Sequence, residues 1–158
     1  GETCDPFLVG LLCLFNRLPR RELKKTVVRL EMKVAWQKQL VDETVQAHKS
    51  LAALVRACSH SDLPVPSKIY RWLNPLSLET LIYLLALSRT EEVRRAISVY
   101  VTRLRHQQPE LDGHALAAMG LTPGAEFGII LQDLLDARLD GKITSRQEEV
   151  SLVEERYL

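Results

Sequence analysis

The chain is poor in aromatic residues, glycine, proline and cysteine, and it carries almost no net charge. Phe, Tyr and Trp make up 6% of the 158 residues, with only seven Gly and seven Pro. That scarcity disfavours a strand-rich sandwich and favours helices. Cys4, Cys13 and Cys58 show no CxxC or Cys/His spacing; an odd, scattered set fits free thiols in a reducing compartment better than a disulfide framework. A net charge of +1 supplies no global field for nucleic acid, so any such argument rests on local patches. The apolar run Phe7 to Phe15 is too short for a bilayer and is interrupted by Gly10. Glu2 and Asp5 stand where a signal peptide needs basic residues, which makes the cytoplasm the expected location.

Catalytic signatures are lacking too. There is no Walker loop, GxGxxG, HExxH or GxSxG. His48, His60, His106 and His114 belong to no Cys-His or Ser-His arrangement. The paired acids Glu91-Glu92 and Glu148-Glu149 sit at predicted helix starts, where the helix dipole favours negative charge and no catalysis need be invoked.

What remains is helical patterning, with length enough for one buried core or two small lobes. Asp5-Pro6 reads as a cap and first-turn proline, predicting a helix from Pro6 to Leu18, ended by Pro19. From Arg20 to Ala57 there is no Gly or Pro, and apolar residues recur at three- and four-residue steps. This predicts one very long helix, or two with a break between Trp36 and Val41. Ser59 to Pro66 is a loop and the expected boundary between a segment 1–60 and a segment 61–158. Helices are expected over 66–73 and 77–88, and from a Thr90-Glu91-Glu92 start to His106 before Pro109. No strand pattern and no internal repeat is present. The expected fold is all-α, an irregular bundle of about seven to eight helices with a helix-hairpin-helix-like tail.

That tail, residues 113–149, is the most informative stretch. Gly120 reads as a left-handed helix stop, Pro123 as the opening of the next helix, and Gly141 as its stop. Thr144 then caps a third helix with Gln147 as the capping-box partner. Asp136-x-Arg138-x-Asp140-Gly141-x-Ile143 partly matches a calcium loop, but Arg138 puts a cation at a ligand position and Gln147 lacks the closing carboxylate. A tight helix turn without metal is the preferred reading. The Gly120–Gly124 corner reads equally as a plain turn or as a backbone anion site at a helix N-terminus.

Cations are concentrated between Arg17 and Lys38, opposed there only by Glu22 and Glu31. Arg21, Lys25 and Arg29 form one i, i+4 row, and Arg20 and Lys24 another. Such rows either line a solvated face or track phosphates, with binding that falls steeply as salt rises. A weaker cluster is Arg89, Arg94, Arg95, Arg103 and Arg105.

Together these residues resemble the C-terminal body and tail of bacterial tRNA nucleotidyltransferases and poly(A) polymerases. The likeness runs through Leu111-Asp112-Gly113, Met119-Gly120-Leu121, Pro123-Gly124, Phe127-Gly128, Leu134-Leu135, Leu139-Asp140-Gly141 and Thr144 to Glu149. The stretch from Leu63 to Leu81 is similar to the family's preceding helical body, and residues 1–60 match more loosely. Ala115 and Ala125 replace the family's usual acid and second proline, and one residue is inserted before Arg146. The family's catalytic head carries Gly-Gly-x-x-Arg-Asp and Asp-x-Asp motifs, and its neck a Glu-Asp-x-x-Arg motif. None stands in this sequence; Glu91-Glu92-Val93-Arg94 reads as a helix cap.

The resemblance therefore implies a body-and-tail fragment that transfers no nucleotide alone. It implies that the fragment grips tRNA, or other structured RNA, for a head elsewhere in the polypeptide. That head would use Mg2+ and nucleoside triphosphates; no cofactor or metal is expected here. Arg20, Arg21, Lys24, Lys25 and Arg29 are the expected backbone contacts. Gly120 and Gly124, with Arg138, Lys142 and Arg146, form an expected second contact. The alternative is a helical interaction or homodimerisation module built on the apolar first helix.

Overall fold

The computed structural model describes residues 4–58 and 63–158, so His60 and the first half of the expected 59–66 boundary loop lie outside the described residues. Among the described residues the secondary structure is entirely helical. Asp5 caps α1 (Pro6–Phe15), its carboxylate accepting from the Phe7 and Leu8 amides at 3.0 and 3.4 Å. The helix stops at Phe15 rather than Leu18, because the Leu18 amide turns back onto the Phe15 carbonyl just before Pro19.

The long segment after Pro19 is divided, but not where its sequence suggested. α2 (Arg20–Arg29) ends at a turn in which Glu31 adopts φ 49°. The Glu31 amide bonds the Val28 carbonyl and the Met32 amide the Val27 carbonyl, the double closure usually built on glycine. A glutamate there costs about 1 kcal/mol, which explains why the break left no sequence signal. α3 (Val34–Lys38) then runs into a π-helical turn, Gln39–Glu43, and on into α4 (Thr44–Ala57). The region expected to break is thus a widened helix.

The widened turn carries Glu43 to the start of α6 (Leu78–Leu87). There Glu43 Oε2 accepts from the Ser77 amide at 3.1 Å, and from the Ser77 and Thr80 hydroxyls at 2.7 Å each. Ser77 itself caps α6, as expected. α5 (Pro66–Leu73) precedes it, and α7 (Glu91–Thr102) follows. Thr90 occupies the N-cap position of α7 without a side-chain bond, and the helix gives way to a single 3-10 turn, Leu104–His106.

These helices bury one apolar cluster that includes Leu12, Leu40, Leu54, Leu73, Tyr83 and Ile97. α4 and α5, on either side of the expected 60/61 boundary, both contribute to it. Tyr83 is fully buried; its hydroxyl donates to Asn16 Oδ1 at 2.6 Å and lies 3.0 Å from His48 Nε2. Burial, with Cys13 nearby, pushes the Tyr83 phenol up to about 12. An unfolded tyrosine ionises at about 10. Stability from this group is therefore intact below about pH 10 and is lost as pH rises toward the folded value. Ultraviolet titration of the phenolates is expected to show Tyr83 ionising late and together with unfolding. A folded chain whose tyrosines all titrate near the unperturbed value would contradict this.

A second cluster, Leu111, Leu116, Ile130, Leu134, Ile143 and Val153, belongs to the tail. The tail comprises α8 (Gly113–Ala118), α9 (Ala125–Leu139) and α10 (Arg146–Tyr157). Gly120 and Gly141 take φ 98° and 71°, closing α8 and α9 as expected. Pro123 does not open α9, which begins after Gly124 at its N-cap position. The capping box is Ser145 with Glu148, one residue beyond the expected Thr144 and Gln147, although Thr144 also donates to Glu148.

α9 joins the two clusters, since Ile130 and Leu134 face the tail while Leu139 is buried in the body. Asp140 accepts from the Ser67 amide and hydroxyl at 2.9 and 3.1 Å, and Asp136 pairs with Arg71. The acids of the calcium-like loop thus tie the tail to α5.

Candidate nucleic-acid interface

α2 presents its two faces cleanly. Leu23 and Val27 point into the body, while Arg20, Arg21, Lys24, Lys25 and Arg29 are all exposed. The structure therefore brings the five expected cations onto one solvent face. Arg20 pairs with Asp42 at 2.9 Å and Lys25 with Glu22 at 3.1 Å. Both pairs are exposed and weakly stabilising. Arg21, Lys24 and Arg29 have no hydrogen-bond or ion-pair partner among the described residues. Their charge is available to an anion without breaking any internal bond.

A cleft of about 630 Å3 lies beside this face, between α2 and α3. Val27, Val28, Val34 and Val41 line it, with Arg21, Lys24 and Lys38 around it. The cleft was not legible in the sequence, where α2 and α3 read as parts of one helix. Its only trace was Val28, an apolar residue on an otherwise cationic face.

The tail residues divide into two kinds. Gly120 and Gly124 are exposed. Gly124 offers no side-chain cap, so the first amides of α9 lack a side-chain partner, but Glu126 puts a carboxylate in the same turn. Lys142 is exposed, with Asp140 3.8 Å away. Arg146 is exposed and donates to the Glu110 carbonyl at 3.2 Å.

Arg138 is different. Its side chain is 17% exposed and turned inward, to Glu149 Oε1 at 2.6 Å, Glu110 Oε1 at 2.5 Å and the Thr144 carbonyl at 3.2 Å. These bonds hold its guanidinium charge still more firmly than usual, Glu110 foremost. Arg138 thus braces the tail from within and presents no free guanidinium at its surface.

Glu149, read from sequence as a helix-start acid, is fully buried. Besides Arg138 it accepts from the Glu110 amide at 2.9 Å and the Leu111 amide at 2.8 Å. Its neighbour Glu148 performs the capping and is held below the usual carboxylate range by the Thr144 and Ser145 amides.

No protein-family model and no solved structure matches the chain. Over 152 residues, 96% of its length, it is 33% identical to an A-adding tRNA nucleotidyltransferase of Geobacter sulfurreducens. The chain is homologous to part of a tRNA nucleotidyltransferase. It spans 17% of that relative's length. The likeness extends well beyond the tail motifs and takes in α1 to α4, the segment that carries the cationic face. Among the described residues no helix is long and apolar enough to cross a membrane.

Proposed function

We propose that this chain is a non-catalytic, RNA-gripping region of a cytoplasmic, tRNA nucleotidyltransferase-like protein. Its role is to hold tRNA while a catalytic head carries out nucleotide addition with Mg2+ and nucleoside triphosphates. The observation that carries the reading is the α2 face, where Arg21, Lys24 and Arg29 are exposed and unpaired among the described residues. Rows of this kind suit the phosphate and shape contacts by which structured RNA is held. The Gly120–Gly124 corner, with Lys142 and Arg146, is a second contact, weakened by Glu126.

Electrophoretic shift of tRNA by the full chain across a salt series tests this. Binding is expected to fall linearly on a log–log plot, with a slope of about −2 to −4 for three to five phosphate contacts. Salt-insensitive binding would count against phosphate tracking. The rival reading has an observation of its own: Phe7 and Leu14 on α1 are 61% and 73% exposed. Sedimentation at several concentrations separates the two. A salt-independent dimer with no tRNA shift would favour self-association through α1.

A further inference from the structure

A helix that only tracks phosphates has no need of a concave apolar neighbour, yet α2 has one. The cleft between α2 and α3, about 630 Å3, is of small-ligand size. Val34, on its wall, is 82% exposed, an aliphatic side chain left in water. Two acceptors also border the cleft. Gln37 uses its Nε2 on the Met32 carbonyl at 2.6 Å, leaving its Oε1 without a partner among the described residues. Asp42 uses Oδ1 on Arg20, leaving Oδ2 in the same condition.

Apolar lining, two acceptors and flanking cations together match the parts of one nucleotide: a flat base, an exocyclic amine and the adjoining phosphates. We propose that the α2–α3 cleft takes one unstacked nucleotide of the bound RNA. Its base lies against Val28 and Val34 with an amine toward Gln37 and Asp42, and its phosphates lie on Arg21, Lys24 and Lys38. The inference rests on the RNA-gripping reading above and adds to it a preference for a bulged or looped base.

The test uses the full chain and three RNA hairpins with the same stem: unbulged, with a single adenosine bulge, and with an abasic bulge. In fluorescence anisotropy the adenosine bulge is expected to bind about tenfold tighter than the abasic one, the worth of burying one apolar face. Val34→Ser, at an exposed position that packs in neither cluster, is expected to erase that preference and leave unbulged binding unchanged. Arg21→Gln is expected to weaken all three hairpins alike. Equal affinity for the adenosine and abasic bulges overturns the nucleotide pocket and leaves backbone gripping standing. A preference that survives Val34→Ser also overturns it, as does a fourth hairpin with a uridine bulge, which lacks the exocyclic amine, if it binds as tightly as the adenosine one. If neither tRNA nor any hairpin binds, the gripping reading fails first and takes the pocket with it.

Discussion

Glu149→Gln is expected to destabilise the tail by about 3 kcal/mol, the cost of removing one partner from a buried ion pair. The carboxylate is fully buried and serves the Glu110 and Leu111 amides as well as Arg138. A carboxamide keeps the shape but loses one acceptor and the charge. At least one of those donors is left unsatisfied, and Arg138 keeps only Glu110, half exposed, as its counter-ion. Because the acid holds the 110–111 backbone against α10, the loss should fall on the tail cluster first. Thermal unfolding would then show an early transition, with amide exchange at Leu111 accelerated before exchange in the body. Adding Arg138→Met to Glu149→Gln should recover part of the loss, since the buried guanidinium is then gone, the carboxamide oxygen still accepts from the Glu110 and Leu111 amides, and the half-exposed Glu110 carboxylate is freed to water. A single variant that loses less than about 1 kcal/mol would show that the bonds are replaceable by water.

The combined variant Arg21→Gln, Lys24→Gln, Arg29→Gln is expected to lower tRNA affinity about a hundredfold at moderate salt, near 1 kcal/mol for each phosphate no longer neutralised. It should also flatten the log–log salt dependence by about 2 to 3, each neutralised phosphate adding somewhat less than one to the slope. Stability should change by less than about 0.5 kcal/mol, because the three side chains are exposed and bond to nothing among the described residues. The contrast with Glu149 is the useful part. One variant loses binding with the fold intact; the other loses the fold of the tail, and any effect on RNA follows from that. Unchanged affinity in the triple variant would remove α2 from the interface.

Helix existence was largely legible, because its determinants are local. Asp5 and Ser77 bond amides two and three residues ahead, and Gly120 and Gly141 supply left-handed stops wherever they stand. The break at Glu31 was not legible. The same double closure formed there on a residue whose side chain disfavours it, and only the packing of α2, α3 and the π-helical turn over-determines that strained φ. The expected capping box stood one residue away from the real one because Thr144 and Ser145 are chemically alike and both donate to Glu148. The candidate site divides the same way. Cations at three- and four-residue spacing must share a face of α2, so their grouping could be read in advance. Arg138 looked no different from Arg146 in one dimension.

The sequence by itself determined an all-α chain, the stops and caps of most helices, the cationic face of α2, and a relationship to tRNA nucleotidyltransferases. All of these follow from interactions within a turn or two of helix, or from motifs that survive as text. Tertiary structure alone decided that Arg138 faces inward, that Glu149 is a buried strut, and that α2 and α3 enclose a cleft. It also decided that the tail is fastened to α5 through Asp140 and Ser67, 73 residues apart. The reason is physical. A charged side chain is free or spent according to which distant groups the fold sets beside it, and side-chain spacing along one helix carries no record of them.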